Sequence, residues 1–136
     1  MCLYSKEPEP YIADRDIKCY KVVSVRGGKY YAPCVGRRIQ KRYIIGRRLY
    51  CAHGESEVKE LWNNHRHIVD FYMIRTGFIH TYSKVDVALS NIGLNKEVYE
   101  CVIPKGCEYY KDFEYAELAS KAIRFVRKIV PQYEKN

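Results

Sequence analysis

The sequence predicts an α+β protein with a mainly antiparallel sheet of about five strands. Residues 97–103 alternate apolar and polar side chains, which is typical of a half-buried strand. A helical apolar spacing follows Ser83, and Gly27-Gly28 separates two extended runs. The chain of 136 residues has the size of one domain, and residues 1–16 form a polar arm of uncertain order.

The first third of the chain is expected to form two hairpins. Strands are expected over residues 18–25 and 29–32, because Gly27-Gly28 between them suits a two-residue hairpin turn. Residues 35–50 mix three basic doublets with short apolar runs, which we interpret as a second, looser hairpin.

Residues 51–75 are interpreted as an insertion. A helix over about 56–66 is expected there, since Val58, Leu61, Trp62 and His65 share one helical face. Residues 67–74 suit a strand equally well, so the continuation of this helix stays open.

Residues 76–106 indicate a strand, a short helix and a second strand. Gly77 begins an extended run, and a helix is expected over about 83–92, with Ser83 as its N-cap. Gly93 stands where a left-handed residue would end that helix. Residues 114–130 suit either a helix or a strand, and local propensity favours the helix.

The positive charge of the chain comes from one stretch. Ten Lys or Arg and no Asp or Glu lie between residues 17 and 54. The rest of the chain has fourteen basic and sixteen acidic residues, so its charge nearly cancels and the net charge of +8 arises in this stretch. Such asymmetry favours an anionic partner.

The residues expected to bind an anion or nucleic acid are Arg37, Arg38, Lys41, Arg42, Tyr43, Arg47 and Arg48. Guanidinium groups pair with phosphates in a bidentate manner, and tyrosine rings can stack on bases. The alternative is a solvated face whose arginines pair with Glu55, Glu57 and Glu60 or simply stay in water.

The sequence gives only weak indications of a metal site, a catalytic site or disulfide bonds. Cys51, His53, His65 and His67 match no zinc spacing, so no metal site is expected. His80 lies at a strand end beside polar residues, but general acid–base catalysis needs a second group that the sequence does not place. The six cysteines are interpreted as reduced thiols, because no secretory signal is visible. The protein is therefore expected to be intracellular, not secreted and not in a membrane.

Four short motifs support a family resemblance. They are Cys19-Tyr20-Lys21-Val22, Gly77-Phe78-Ile79-His80, Cys101-Val102-Ile103-Pro104-Lys105-Gly106 and Ala119-Ser120-Lys121-Ala122-Ile123-Arg124-Phe125-Val126. Together they resemble small uncharacterised proteins of phages, some gut bacteria and large DNA viruses. The resemblance covers most of the chain except residues 51–75, and it implies no known activity. It slightly favours a strand from about Lys121, and it implies a location in the host-cell cytoplasm or in a virion.

A more distant resemblance is to the ADP-ribosyltransferase-like fold. It implies that His80, Tyr82 and Ser83 lie near a nicotinamide pocket, with NAD as the cofactor. It also implies that Glu114 or Glu117 stabilises an oxocarbenium-like transition state.

The favoured function is a non-enzymatic binding or accessory protein of viral or mobile-element type. Its basic face would engage nucleic acid or an acidic protein surface, without a cofactor. The alternatives are an ADP-ribosyltransferase-like enzyme that uses NAD, and a structural virion or assembly component.

Overall fold

The structure, a computed structural model, describes residues 3–32, 36–112 and 116–131. It is mostly antiparallel β, with 52% of these residues in strands and 8% in helices. The predicted α+β class is therefore wrong, and the predicted sheet of about five strands is too small.

The strands in chain order are β1 (Leu3–Ser5), β2 (Tyr11–Ile12), β3 (Ile17–Arg26), β4 (Lys29–Tyr31), β5 (Arg38–Ile39), β6 (Leu49–Cys51), β7 (Val58–Asn63), β8 (Ile68–Ile74), β9 (Ile79–Tyr82), β10 (Lys96–Ile103), β11 (Glu108–Lys111), β12 (Glu117–Ser120) and β13 (Ala122–Ile129). The helices of the described residues are α1 (Lys41–Ile44) and α2 (Val85–Ser90).

Ten strands form one antiparallel sheet. Its main order is β2-β11-β12-β9-β3-β10-β13-β6, with β4 on β3 and β5 on β4. The other three strands form a small sheet in the order β1-β8-β7. The N-terminal arm is thus part of both sheets, since β1 pairs with β8 and β2 pairs with β11.

The first hairpin and the strand near residue 100 are confirmed. Gly27 and Gly28 both have positive φ, +57° and +74°, as a tight turn between β3 and β4 requires. In β10, Tyr99, Cys101 and Ile103 are buried on one face. They pack in the main core with residues of β3 and β13.

The short helix is found inside the predicted range, as α2, but its predicted caps are wrong. The N-cap is Lys84, in an extended conformation and without a side-chain cap hydrogen bond. Ser83 lies one residue too early, because its backbone N–H donates to Ala116 O and extends the pairing of β9 with β12. Gly93 is not in the left-handed region, and α2 ends at Ser90 with Asn91 as its C-cap.

The helix predicted over 56–66 is wrong, because this segment forms β7 and the turn after it. Asn63 Oδ1 accepts hydrogen bonds from the backbone N–H groups of His65 and Arg66, at 3.1 and 3.2 Å, and this closes a turn. The strand alternative for 67–74 is confirmed by β8. The helical spacing failed because β1 and β7 flank β8 on its two sides, a tertiary pairing that overrides local propensity.

The looser hairpin predicted over 35–50 is also wrong. Its two strands do not pair with each other: β5 pairs with β4, and β6 pairs with β13. The helix α1 lies between them because Ile44 is buried in the main core, 4% exposed.

The C-terminal segment is a strand, as the resemblance slightly favoured and local propensity did not. In β13, Ile123 and Phe125 are fully buried while Arg124 is exposed. Lys121 alone separates β12 from β13, although these strands pair with different neighbours, β9 and β10. None of the helices in the described ranges is long and apolar enough to cross a membrane.

Candidate functional site

The strands β3, β4 and β5 form a ribbon with two different faces. The register pairs Arg26 with Lys29 and Tyr31 with Arg38, so these four residues share the outer face. The Arg26 guanidinium carbon lies 4.5 Å from the centroid of the Tyr31 ring. The opposite face, formed by Val25, Tyr30 and Ile39, packs on the core.

The basic residues continue through α1 and the loop after it. We call the following eight residues the basic face: Arg26, Lys29, Arg37, Arg38, Lys41, Arg42, Arg47 and Arg48. All eight side chains are exposed. Every cation of the predicted anion site therefore reaches solvent.

The tyrosines within this stretch are less available for stacking on bases than the cations are for binding phosphates. Tyr43 is half-buried, and its ring centroid lies 5.3 Å from that of Tyr50. The Arg42 guanidinium carbon lies 5.1 Å from the Tyr43 centroid. Tyr50 is buried in the main core. Base stacking on either ring would require one of these contacts to open.

The basic face is not neutralised by carboxylates. Within the described ranges, no Asp or Glu oxygen lies within 4.0 Å of any of its eight cations. Glu57 instead pairs with Arg75 at 2.9 Å, and Glu60 accepts a hydrogen bond from the Trp62 indole at 3.0 Å. The alternative of arginines paired with the glutamates of residues 55–60 is therefore not what these contacts show.

A cleft of about 680 Å³ lies between β3 and β9. These strands pair only at Tyr20 and Tyr82, and beyond that pair they diverge. Lys21 Nζ spans the gap and donates a 2.9 Å hydrogen bond to the carbonyl oxygen of His80. This bond satisfies a carbonyl that the interrupted strand pairing leaves without a partner strand.

The lining of the cleft is basic. Lys21, Arg37, Arg75 and Lys96 line it together with His53 and His80, and no Asp or Glu of the described residues belongs to the lining. Arg75 is the cation shared with Glu57. Apolar surface comes mainly from Val22, Tyr50, Phe78, Ile79 and Tyr82. The cleft can therefore offer cations and aromatic rings to one ligand.

His80 is held in a defined tautomer. Its Nε2 lies 3.1 Å from the carbonyl oxygen of Arg75, so Nε2 carries the proton and donates. Burial lowers the pKa of His80 to about 4, the hydrogen bond to Arg75 opposes this, and the charge of Lys21 lowers it further. The ring is neutral at pH 7, and its buried Nδ1 has no hydrogen-bond partner among the described residues.

The residues of the enzymatic alternative are only partly brought together. His80 and Tyr82 line the cleft, but Ser83 does not. Glu117 is the register partner of Tyr82 and is also outside the lining. Burial raises the pKa of Glu117, and the neighbouring Asp112 raises it further. Glu114 lies outside the described residues.

The cysteine and histidine pairs of the zinc alternative are separated in the fold. His65 and His67 lie in the turn between β7 and β8, whereas His53 lines the cleft. Throughout the described ranges, no three or more His, Cys, Asp or Glu side chains are grouped so that they could hold a metal ion.

Sequence reasoning missed Lys21, His53, Arg75 and Lys96 as cleft residues. Lys21 did carry a signal, because it stands between Cys19 and Val23 at a core-facing position of an apolar strand. A lysine at such a position needs a hydrogen-bond partner inside the protein.

Comparison with protein families, with curated proteins and with solved structures finds no match for this chain. The resemblances drawn from the motifs therefore stay predictions.

Proposed function

We propose that the protein binds nucleic acid through the basic face, as a non-enzymatic accessory protein. The supporting observation is that eight exposed cations, six of them arginines, have no carboxylate within 4.0 Å among the described residues. A polyanion would therefore not have to break existing ion pairs in order to bind.

The chemistry of the face favours phosphates. Arginine presents a planar fork of donors that matches two phosphate oxygens. Seven of the eight cations lie outside the lining of the cleft. They follow one another along β3, β4, β5, α1 and the adjoining loop, which suits the regularly spaced charges of a nucleic-acid backbone. The half-buried tyrosines support contact with the backbone more than base stacking.

The test is fluorescence anisotropy of labelled single-stranded and double-stranded DNA and RNA over a range of salt concentrations. Each phosphate neutralised contributes about −0.9 to the log–log salt slope on duplex DNA, so a slope of about −3 or steeper is expected. Replacing Arg37, Arg38, Arg47 and Arg48 together by Ser should flatten the slope by up to about 3.6.

The matched control replaces Lys59, Arg66, Lys84 and Lys105 by Ser. These four side chains are exposed and lie outside the basic face, so the net charge falls equally. The control should retain the wild-type slope. Equal losses in both variants would mean that only net charge matters and would contradict the proposed face.

An acidic protein surface is the other partner that the charge allows. Poly-glutamate serves as the probe for it in the same assay. Weak, salt-independent binding to every nucleic acid, with tight binding to poly-glutamate that the four-arginine variant loses, would overturn nucleic acid in favour of an acidic protein.

A further inference from the structure

The cleft between β3 and β9 has a chemistry of its own, apart from the basic face. Lys21, Arg37 and Lys96 line it without any described carboxylate in the lining. Lys21 is only 8% exposed, so its charge lies inside the protein and not on a solvated surface. Such a cleft attracts anions, and a dianion compensates these cations better than a single carboxylate.

The cleft also offers an acceptor. The Nδ1 atom of His80 is buried and has no hydrogen-bond partner in the described parts of the chain, while Nε2 is occupied by Arg75 O. A buried acceptor without a partner costs free energy. Because Nδ1 is closed to solvent, a turn of the His80 ring towards the cleft is needed for a ligand hydroxyl or amino group to satisfy it. The ligand is therefore expected to carry a donor as well as its negative charge.

Aromatic rings form the rest of the wall. Tyr50, Phe78 and Tyr82 line the cleft, and Val22 and Ile79 add aliphatic surface. A volume of about 680 Å³ lies within the range of small-molecule sites in proteins, about 300–1,000 Å³. Such a wall suits a planar or apolar group joined to the anion.

We propose that this cleft binds a phosphate monoester that carries a planar group and hydroxyl or amino donors. A free nucleoside monophosphate and the 5′-phosphorylated end of a nucleic-acid strand share this chemistry. The cleft shares only Arg37 with the basic face, so this site can be present whether or not the proposed function is correct.

The first test is isothermal titration calorimetry of the whole protein with adenosine monophosphate, adenosine and inorganic phosphate. Adenosine monophosphate should bind at least tenfold more tightly than either of the others, because only it provides both the dianion and the planar group. The same titration followed by ¹⁵N NMR should move the His80 Nδ1 resonance.

Two pairs of variants locate the site. Lys21→Met and Lys96→Ser each remove a cation of the lining and should weaken adenosine monophosphate binding at least fivefold. Lys96 is exposed, so Lys96→Ser keeps the test valid if Lys21→Met does not fold. Arg47→Ser and Arg48→Ser alter the basic face outside the lining and should leave this binding unchanged.

The proposal is overturned by any of three results. These are adenosine binding as tightly as its monophosphate, a loss of binding in the Arg47 and Arg48 variants with none in Lys96→Ser, or no heat of binding and no shift at His80 Nδ1. Failure of the proposed function looks different, because it shows as loss of salt-dependent binding to a 5′-hydroxyl oligonucleotide.

Oligonucleotides with a 5′-phosphate and a 5′-hydroxyl distinguish the two sources of the ligand. If the strand end occupies the cleft, the 5′-phosphate tightens binding, and adenosine monophosphate competes with it. If the ligand is a free nucleotide, the two oligonucleotides bind alike while adenosine monophosphate still binds. Both results support the site, and they differ only in its natural occupant.

Discussion

Lys21 Nζ and the carbonyl oxygen of His80 are joined by a 2.9 Å hydrogen bond at the point where β3 and β9 separate. The lysine side chain stands in for a backbone donor, so the carbonyl is satisfied although the strands do not close. The same contact brings a buried positive charge next to the His80 ring, whose pKa it helps to lower. Lys21 thus bridges the open cleft and adds to the effect of burial in keeping His80 neutral.

The neutral state of His80 predicts acid sensitivity. Its pKa is about 4 in the folded chain, against an ordinary 6.5. Below pH 6.5 the unfolded chain therefore takes up a proton that the folded chain refuses, so the free energy of unfolding falls between pH 6.5 and 4. The loss reaches at most about 3 kcal/mol. Urea midpoints of wild type and His80→Gln across this range measure it.

The variant His80→Gln should lose stability less steeply over that interval, because the amide does not titrate. His65→Gln, in the exposed turn between β7 and β8, is the matched control. Parallel curves of unfolding free energy against pH for wild type and His80→Gln would contradict the lowered pKa of His80.

Gly77 is expected to tolerate no side chain, because the backbone of residues 55–56 lies close to it. Gly77 has φ +78°, and a Cβ there would lie 2.6 Å from backbone atoms of Glu55 and Ser56. Gly106 has a similar φ of +89° with open space around it. Gly106→Ala should cost about 1–2 kcal/mol through its backbone conformation alone. Gly77→Ala should cost at least about 1 kcal/mol more, measured by urea unfolding.

The buried thiols predict selective labelling. Burial raises the pKa of Cys19 to about 12 and raises that of Cys101 well above its usual range, so both stay protonated. Cys51 is exposed. A brief maleimide treatment, mapped by peptide mass spectrometry, should modify Cys51 and spare Cys19 and Cys101 until denaturant is added. Rapid labelling of Cys101 in the native protein would disagree with its burial.

The single tryptophan predicts a direct test of the β7–β8 hairpin. Trp62 is 58% exposed on β7, whereas a helix over 56–66 would have turned it towards the core. Its fluorescence should be quenched by acrylamide nearly as strongly in the native as in the unfolded protein. Strong protection in the native state would favour the helix after all.

The sequence predicted those elements whose signal is local. Gly27 and Gly28 supply the positive φ that a tight hairpin needs, and the alternation in β10 matches its buried and exposed faces. The prediction failed for the hairpin β7–β8. There β8 is stabilised by β1, some 70 residues away, and no local pattern encodes that pairing. Helix periodicity alone could not compete with it.

The sequence likewise predicted one part of the candidate site, the basic face, and missed the other, the cleft. The cations of the basic face could be identified from one acid-free stretch, whereas their exposure fits both anion binding and the solvated alternative. The cleft could not, because Lys21, His53, Arg75 and Lys96 come from four separate segments that only the tertiary fold brings together.

The strand order has a consequence for synthesis on the ribosome. The central strand β3 ends at residue 26, but its partner β10 begins only at Lys96, and β13 follows still later. Only the end of β3 can pair early, with β4, so the nascent chain leaves residues 17–23 of β3 without their β10 partner until most of the protein has emerged. Such non-local pairing slows folding, to about milliseconds to seconds for domains of this type. Until β10 emerges, the chain presents unpaired strand edges of the kind that chaperones protect from aggregation.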